Sequence, residues 1–159
     1  HWGTGETLNN GTHEVDLCRW ALNVGYPDKI NSAGGRYHFK DDWEFYDTII
    51  TNFEYDDKMI SWEGKSCQGK QYYGRGRGAT IHGTKGTVLI DRDGYEIYDL
   101  KDKLIEEFVK PEKDGKMDVL GKGPMTIKHF QNLVNGIRTG EKLHSPIEEG
   151  NISDFISRR

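Results

Sequence analysis

Asn9, His13 and Asp16 are the residues of this chain whose types and spacing best suit chemistry on a small molecule. Steps of four and three residues place them on one face if the segment is helical. An imidazole titrates near neutrality, so it can take the proton of a hydroxyl group while a hydride leaves the carbon that bears it. Asn9 offers a neutral hydrogen-bonding group to a substrate hydroxyl, and Asp16 a carboxylate to orient the His13 ring. A histidine at a helix start can equally be structural, and spacing alone does not choose.

A second pattern, Gly74-Arg75-Gly76-Arg77-Gly78-Ala79, matches the dinucleotide fingerprint G-x-G-x-x-[G/A]. The fingerprint works only between a buried strand and a helix, where the helix N-terminus meets the pyrophosphate. Here polar Gln68 to Gln71 precedes it and a strand pattern follows. The reading is therefore a glycine-rich loop between strands, with Arg75 and Arg77 available to an oxyanion or a partner. His13, Asp16 and Cys18 make no metal set, because Asp16 and Cys18 are two apart and point to different helix faces. His38, His82, His129 and His144 are scattered, and no nucleophile elbow, P-loop or zinc motif occurs. Cys18 and Cys67 are the only cysteines and are expected reduced, with no disulfide scaffold.

The elements that must position these residues follow from patterning. Glycines and asparagines open the chain, then a helix is expected from Thr12 to about Val24, stopped by Gly25 and Pro27. Val15, Cys18 and Leu22 form its buried stripe. From Asp28 to Phe108 the pattern turns to strands: Ile30 to Phe39, Trp43 to Tyr55, Lys58 to Glu63, Ala79 to Gly83, Gly86 to Ile90, Tyr95 to Tyr98, and a last one from Leu104. Short turns imply antiparallel pairing. Lys110 to Gly123 reads as a mobile loop. Pro124 opens a helix with Ile127, Phe130, Val134 and Ile137 on one face, and Ser145-Pro146 starts another. The order helix, strands, helices predicts an α+β fold, a mainly antiparallel open sheet of about seven strands with helices packed on one face.

Bulk properties bound the function. The length, 159 residues, suits one domain, and 11% aromatics with 34% hydrophobic residues support a core rather than disorder. A net charge of -4 argues against nucleic acid as a partner. No apolar run approaches a membrane span. His1-Trp2-Gly3 reads as the middle of a longer chain, so compartment, whether cytoplasmic or periplasmic, is left open.

Three blocks together carry a resemblance. The stretch Gly3 to Leu22, with Asn9, His13, Asp16 and Arg19-Trp20, resembles the opening of the C-terminal domain in the glucose–fructose oxidoreductase / inositol dehydrogenase / rhizopine catabolism (Gfo/Idh/MocA) family. Ile81 to Val88 is similar to the family's strand–turn–strand, and His129 to Gly140 to its "F-x-x-A-I-R-x-G" helix. The resemblance implies a C-terminal substrate domain whose Rossmann partner domain lies outside this chain. It implies NAD or NADP as cofactor of the whole protein, bound by the missing half, and a sugar, polyol or derivative as substrate. His13 falls at the catalytic histidine, whereas Asn9 stands where many members have aspartate. The implied activity is an oxidoreductase; a glycosidase on the same fold and a non-catalytic assembly domain are the alternatives.

Assembly is expected too. A sheet with helices on one side leaves its other face bare, and bare apolar faces pair. Tyr37 and Phe39, Ile49 and Thr51, and Ile60 and Trp62 are the large residues at alternating positions on which a homodimer through the sheet is expected.

Overall fold

The computed structural model describes residues 5–109 and 123–158. The expected opening before Gly5, the expected loop across 110–122 and the last residue lie outside them. A π-helical turn (Thr7–Gly11) runs directly into α1 (Thr12–Leu22). Seven strands follow: β1 (Lys29–Gly35), β2 (Thr48–Glu54), β3 (Met59–Lys65), β4 (Ala79–Gly83), β5 (Gly86–Ile90), β6 (Gly94–Asp99) and β7 (Leu104–Val109). Two helices close the order, α2 (Pro124–Thr139) and α3 (Ile147–Ser157). The fold is α+β, and every strand pair is antiparallel. The strands form two hydrogen-bonded sheets, β1-β2-β3 and β4-β5-β6-β7, rather than one. Between them the segment 66–78 folds back on itself, so no ladder joins β3 to β4.

The core lies under the first sheet. Val15 of α1, Ile156 of α3, Phe53 of β2 and Ile60 and Trp62 of β3 are buried together, with Cys18, Leu22, Ile30, Ile49 and Ile152 around them. Strict alternation explains this: Ile60 and Trp62 point inward while Met59, Ser61 and Glu63 point out. Fully burying a side chain such as Phe53 contributes about 2–3 kcal/mol. The Trp62 indole needs small neighbours. A Cβ on Gly11 would stand 2.9 Å from the ring, and one on Gly64 would collide with it.

Two strands are shorter than the sequence suggests. β1 ends at Gly35 rather than Phe39, and β2 starts at Thr48 rather than Trp43. The cause is Asp47, which is 3% exposed. Its carboxylate accepts the backbone N–H groups of Tyr37, His38 and Phe39 at 2.9–3.2 Å, and the Thr48 hydroxyl at 3.0 Å. Donors that would have extended a ladder are captured by one side chain, so Tyr37 and Phe39 lie in a loop. Those bonds, the one from His38 first, hold the Asp47 carboxyl far below the usual carboxylate range.

The helix ends obey local rules. α1 stops at Leu22 because Asn23 turns left-handed (φ 53°), giving its N–H to the Arg19 and Trp20 carbonyls. α2 starts on Pro124 and ends before Gly140 (φ 72°). α1 packs on the inner face of the first sheet and α3 packs against α1, sending Ile156 into the core, whereas α2 packs against none of the other described helices and strands. Its stripe of Ile127, Phe130, Val134 and Ile137 is exposed. Asn132 anchors α2 to its own following loop, donating to Glu141 Oε1 and the Lys142 carbonyl and accepting from the His144 N–H.

The bare faces of the two sheets differ. On the first, the outer residues include Asn31, Asn52, Ser61 and Glu63, and Ile49, Thr51, Ile60 and Trp62 lie on the opposite face, with Thr51, Ile60 and Trp62 buried. They are therefore not the dimer surface that their alternation suggested. On the second sheet, cross-strand register aligns Ile81, Val88 and Ile97, and beside them Ile90, Tyr95 and Phe108, on one half-buried to exposed face. The apolar open face belongs to β4–β7.

Candidate functional site

The three residues singled out by spacing do not form one constellation. Asn9 sits in the π-helical turn and donates to Glu6 Oε2 at 3.4 Å. A π turn is wider than an α turn, so the four-residue step to His13 crosses a change of helical period. His13 is exposed in the first turn of α1 and makes no hydrogen bond or ion pair among the described residues. Asp16 is engaged elsewhere. It accepts the Ser153 hydroxyl at 2.6 Å and lies 3.7 Å from Arg19 Nη1.

Arg19 explains the arrangement. It is 3% exposed and reaches from α1 into α3. Its Nη1 donates to Ser153 Oγ at 2.7 Å and the Glu149 carbonyl at 3.1 Å, its Nη2 to Glu149 Oε2 at 2.8 Å, and its Nε to the Gly25 carbonyl at 3.3 Å. A buried guanidinium needs such a full set of acceptors. The D-x-x-R spacing of Asp16 and Arg19 is thus a helix–helix clasp, which fixes the helix carrying His13.

The neighbouring face of that helix lines a cavity of about 710 Å³ between α1, β3, the segment 66–78 and the inner side of β4–β5. Glu6, Asn10, Glu14 and Cys18 come from the helix side, Trp62 and Lys65 from β3, Thr80 and His82 from β4. His13 does not line it, although Asn10 and Glu14 do. Burial, with Glu14 adding to it, pushes the Cys18 thiol up to about 11, so it is no nucleophile at neutral pH. Cys18 and Cys67 are both free thiols.

The glycine-rich segment forms the cavity's outer wall. Tyr72 and Arg75 exchange backbone hydrogen bonds of 3.0 and 2.8 Å around Tyr73 (φ 53°) and Gly74 (φ 72°), a two-residue hairpin turn with both central residues left-handed. A left-handed aromatic residue costs on the order of 1–3 kcal/mol, and such strain clusters at functional sites. Tyr72 and Tyr73 are exposed at the tip. The arginines that the sequence left open to an oxyanion are both held internally. Arg75 pairs with Asp91 at 2.5 Å and Glu96 at 2.8 Å. Arg77 donates to Glu14 Oε1 at 2.6 and 2.8 Å and to Asn10 Oδ1 at 2.8 Å. Gly74 is of a type that suits a positive φ, but a tyrosine beside it carries no propensity that announces the hairpin. Among the described residues no cluster of His, Cys, Asp and Glu could hold a metal ion.

No family model and no curated protein matches the chain. Solved structures do. A proposed oxidoreductase from Klebsiella pneumoniae superposes with a TM-score of 0.61 at 15% identity, over 99% of this chain and 48% of that one. Biliverdin reductase from Synechocystis, solved with biliverdin and NADP+, gives 0.63 at 11% identity, over 97% and 45%. The WlbA dehydrogenase from Bordetella pertussis, solved with NADH and UDP-GlcNAcA, gives 0.50 at 14% identity, over 94% and 41%. The chain therefore spans slightly less than half the length of these matches. Over that half it has the fold of these oxidoreductases, the fold that its resemblance to the Gfo/Idh/MocA C-terminal domain implies.

Proposed function

We propose that this chain is the substrate-binding half of an NAD(P)-dependent oxidoreductase that acts on a sugar, polyol or derivative, with His13 as its proton-transfer residue. The observation that supports this best is the end-to-end fold match to oxidoreductases, two of them solved with a nicotinamide nucleotide. The UDP-sugar held by one of those neighbours favours a carbohydrate.

The described residues do not fit the nucleotide itself. The G-x-G-x-x-A segment is a hairpin tip followed by a strand, and its arginines already face carboxylates. In this reading the nucleotide is held by residues outside the chain. What the chain supplies is a proton acceptor. The exposed His13 imidazole has no competing partner among the described residues, so it can take the hydroxyl proton as the carbinol carbon is oxidised, and return it in reduction. The Arg19 clasp keeps α1, and so the ring, in place. In this reading Asn9, one turn earlier, offers its amide to a substrate hydroxyl.

The second sheet's apolar outer face supports pairing with another copy of the chain. The test of the activity is His13→Ala in the full-length protein that carries this half. Loss of one general base predicts a fall in kcat of about 10²–10⁴ with little change in KM. An unchanged kcat would assign the chain to binding or assembly alone.

A further inference from the structure

We propose that the cavity at the loop joining β1 to β2 binds a small organic cation, a trimethylammonium group such as that of choline. The proposal does not depend on the activity proposed above. The cavity holds about 350 Å³, at the small end of small-molecule sites, a size that suits a trimethylammonium head with a short tail. Its walls are of two kinds. Phe39, Trp43 and Tyr46 bring three aromatic rings, all exposed. Glu6, Asp41 and Asp47 bring three carboxylates, and among the described residues no lysine, arginine or histidine lines it. Two of the three charges are not cancelled. Arg36 pairs with Asp41 alone. Glu6 meets the neutral amides of Asn9 and Asn10. Asp47 meets four neutral donors, the Tyr37, His38 and Phe39 N–H groups and the Thr48 hydroxyl. Those bonds keep Asp47 ionised although it is buried. A buried anion with no counter-ion beside an aromatic cavity favours a cation there.

The same bonds choose the kind of cation. A carboxylate has about four acceptor positions, and Asp47 has used its own. An ammonium or guanidinium entering here would shed water without gaining the Asp47 oxygens as acceptors. A trimethylammonium group has no N–H to satisfy, and its methyl groups carry the charge onto ring faces by cation–π attraction. The rings are held before a ligand arrives. Asp47 ties residues 37–39, and Arg36 donates to the Phe39 carbonyl and to Asp41. Trp43 meets Phe45 edge-on at 5.6 Å, and Phe45 abuts Gly5.

The experiment titrates this chain with choline, following the Trp43 indole N–H and the Phe39 and Tyr46 rings by NMR. Three further probes separate the causes: 3,3-dimethyl-1-butanol, which has the shape without the charge; methylammonium, which has the charge with N–H donors; and phosphocholine, which carries the group as a lipid headgroup does. Choline is expected to give saturable shifts, and the neutral isostere to bind about threefold to thirtyfold more weakly. Methylammonium and phosphocholine are expected to be weaker than choline, the second because its phosphate meets unpaired carboxylates. Trp43 is exposed, so Trp43→Leu folds, and it should weaken choline by about threefold or more. Glu6→Gln keeps the shape and removes one charge, and should weaken choline by about twofold to fivefold while leaving the neutral isostere unchanged. Absence of saturable choline binding, any of the three other probes binding as tightly as choline, or either variant binding choline undiminished would overturn the proposal.

Discussion

The two sheets are built from similar short antiparallel strands, yet one is closed and the other open. β1–β3 turns Thr51, Phe53, Ile60 and Trp62 under α1 and α3 and shows a largely polar outer face. β4–β7 buries only Leu89 fully among the described residues and turns Ile81, Val88, Ile97, Tyr95 and Phe108 outward. The difference teaches where the chain's own folding energy resides. The first sheet is stabilised by the helices of this chain; the second is attached through Arg75, Arg77 and α1, and its apolar side is left for something else to cover.

The sharpest way to break this comparison is a paired truncation. Phe53→Ala should cost about 3–5 kcal/mol in urea unfolding, because it empties the centre of the closed core. Ile97→Ala on the open face should cost under about 1 kcal/mol in the isolated chain. Comparable losses would mean that the second sheet is as packed as the first. Ile97→Asp adds a sharper arm: ultracentrifugation should show a paired form dissociating, with the melting of the monomer little changed.

Next in size is the clasp that closes the first sheet. Arg19→Ala removes donors from Ser153, Gly25 and Glu149, whose carboxylate is partly hydrated, and should cost about 2–3 kcal/mol. Hydrogen exchange should rise in α1 and α3 before it rises in β4–β7. Uniform loss across both sheets would contradict a local clasp.

The smallest effect concerns acid. Asp47 is ionised more readily folded than unfolded, where its value is near 3.8. Its contribution is therefore complete above that value and is lost as pH falls through the lower, folded-state value. Stability should decline below about pH 4, and Asp47→Asn should flatten that decline while lowering stability at neutral pH. A variant with an unaltered acid limb would show that the three N–H bonds to Asp47 carry little weight.

Much of the fold was legible because its causes are local. Runs of β-branched and aromatic residues between turns, with alternation in the last, marked the seven strands, and Pro124 and Gly140 bracket α2 as their backbone preferences require. What was illegible depends on distant partners. Asp47 shortens two strands through loop amides eight to ten residues away. Asp16 reads as a partner for His13, but Ser153, 137 residues on, takes its carboxylate. The wall of the cavity was hidden for the same reason: Arg77 and Glu14 are 63 residues apart. His13 was singled out by type and resemblance, and it stands exposed at the head of α1.

The Arg19 clasp also sets an order in time. Its guanidinium belongs to α1, and two of its acceptors to α3, 130 and 134 residues later. During synthesis the early helix emerges with its arginine unprovided for, and a buried, unsatisfied cation is too costly to persist. α1 must then stay loosely docked until α3 has left the ribosome. The segment bearing His13 is thus made before α3 but is fixed only together with it.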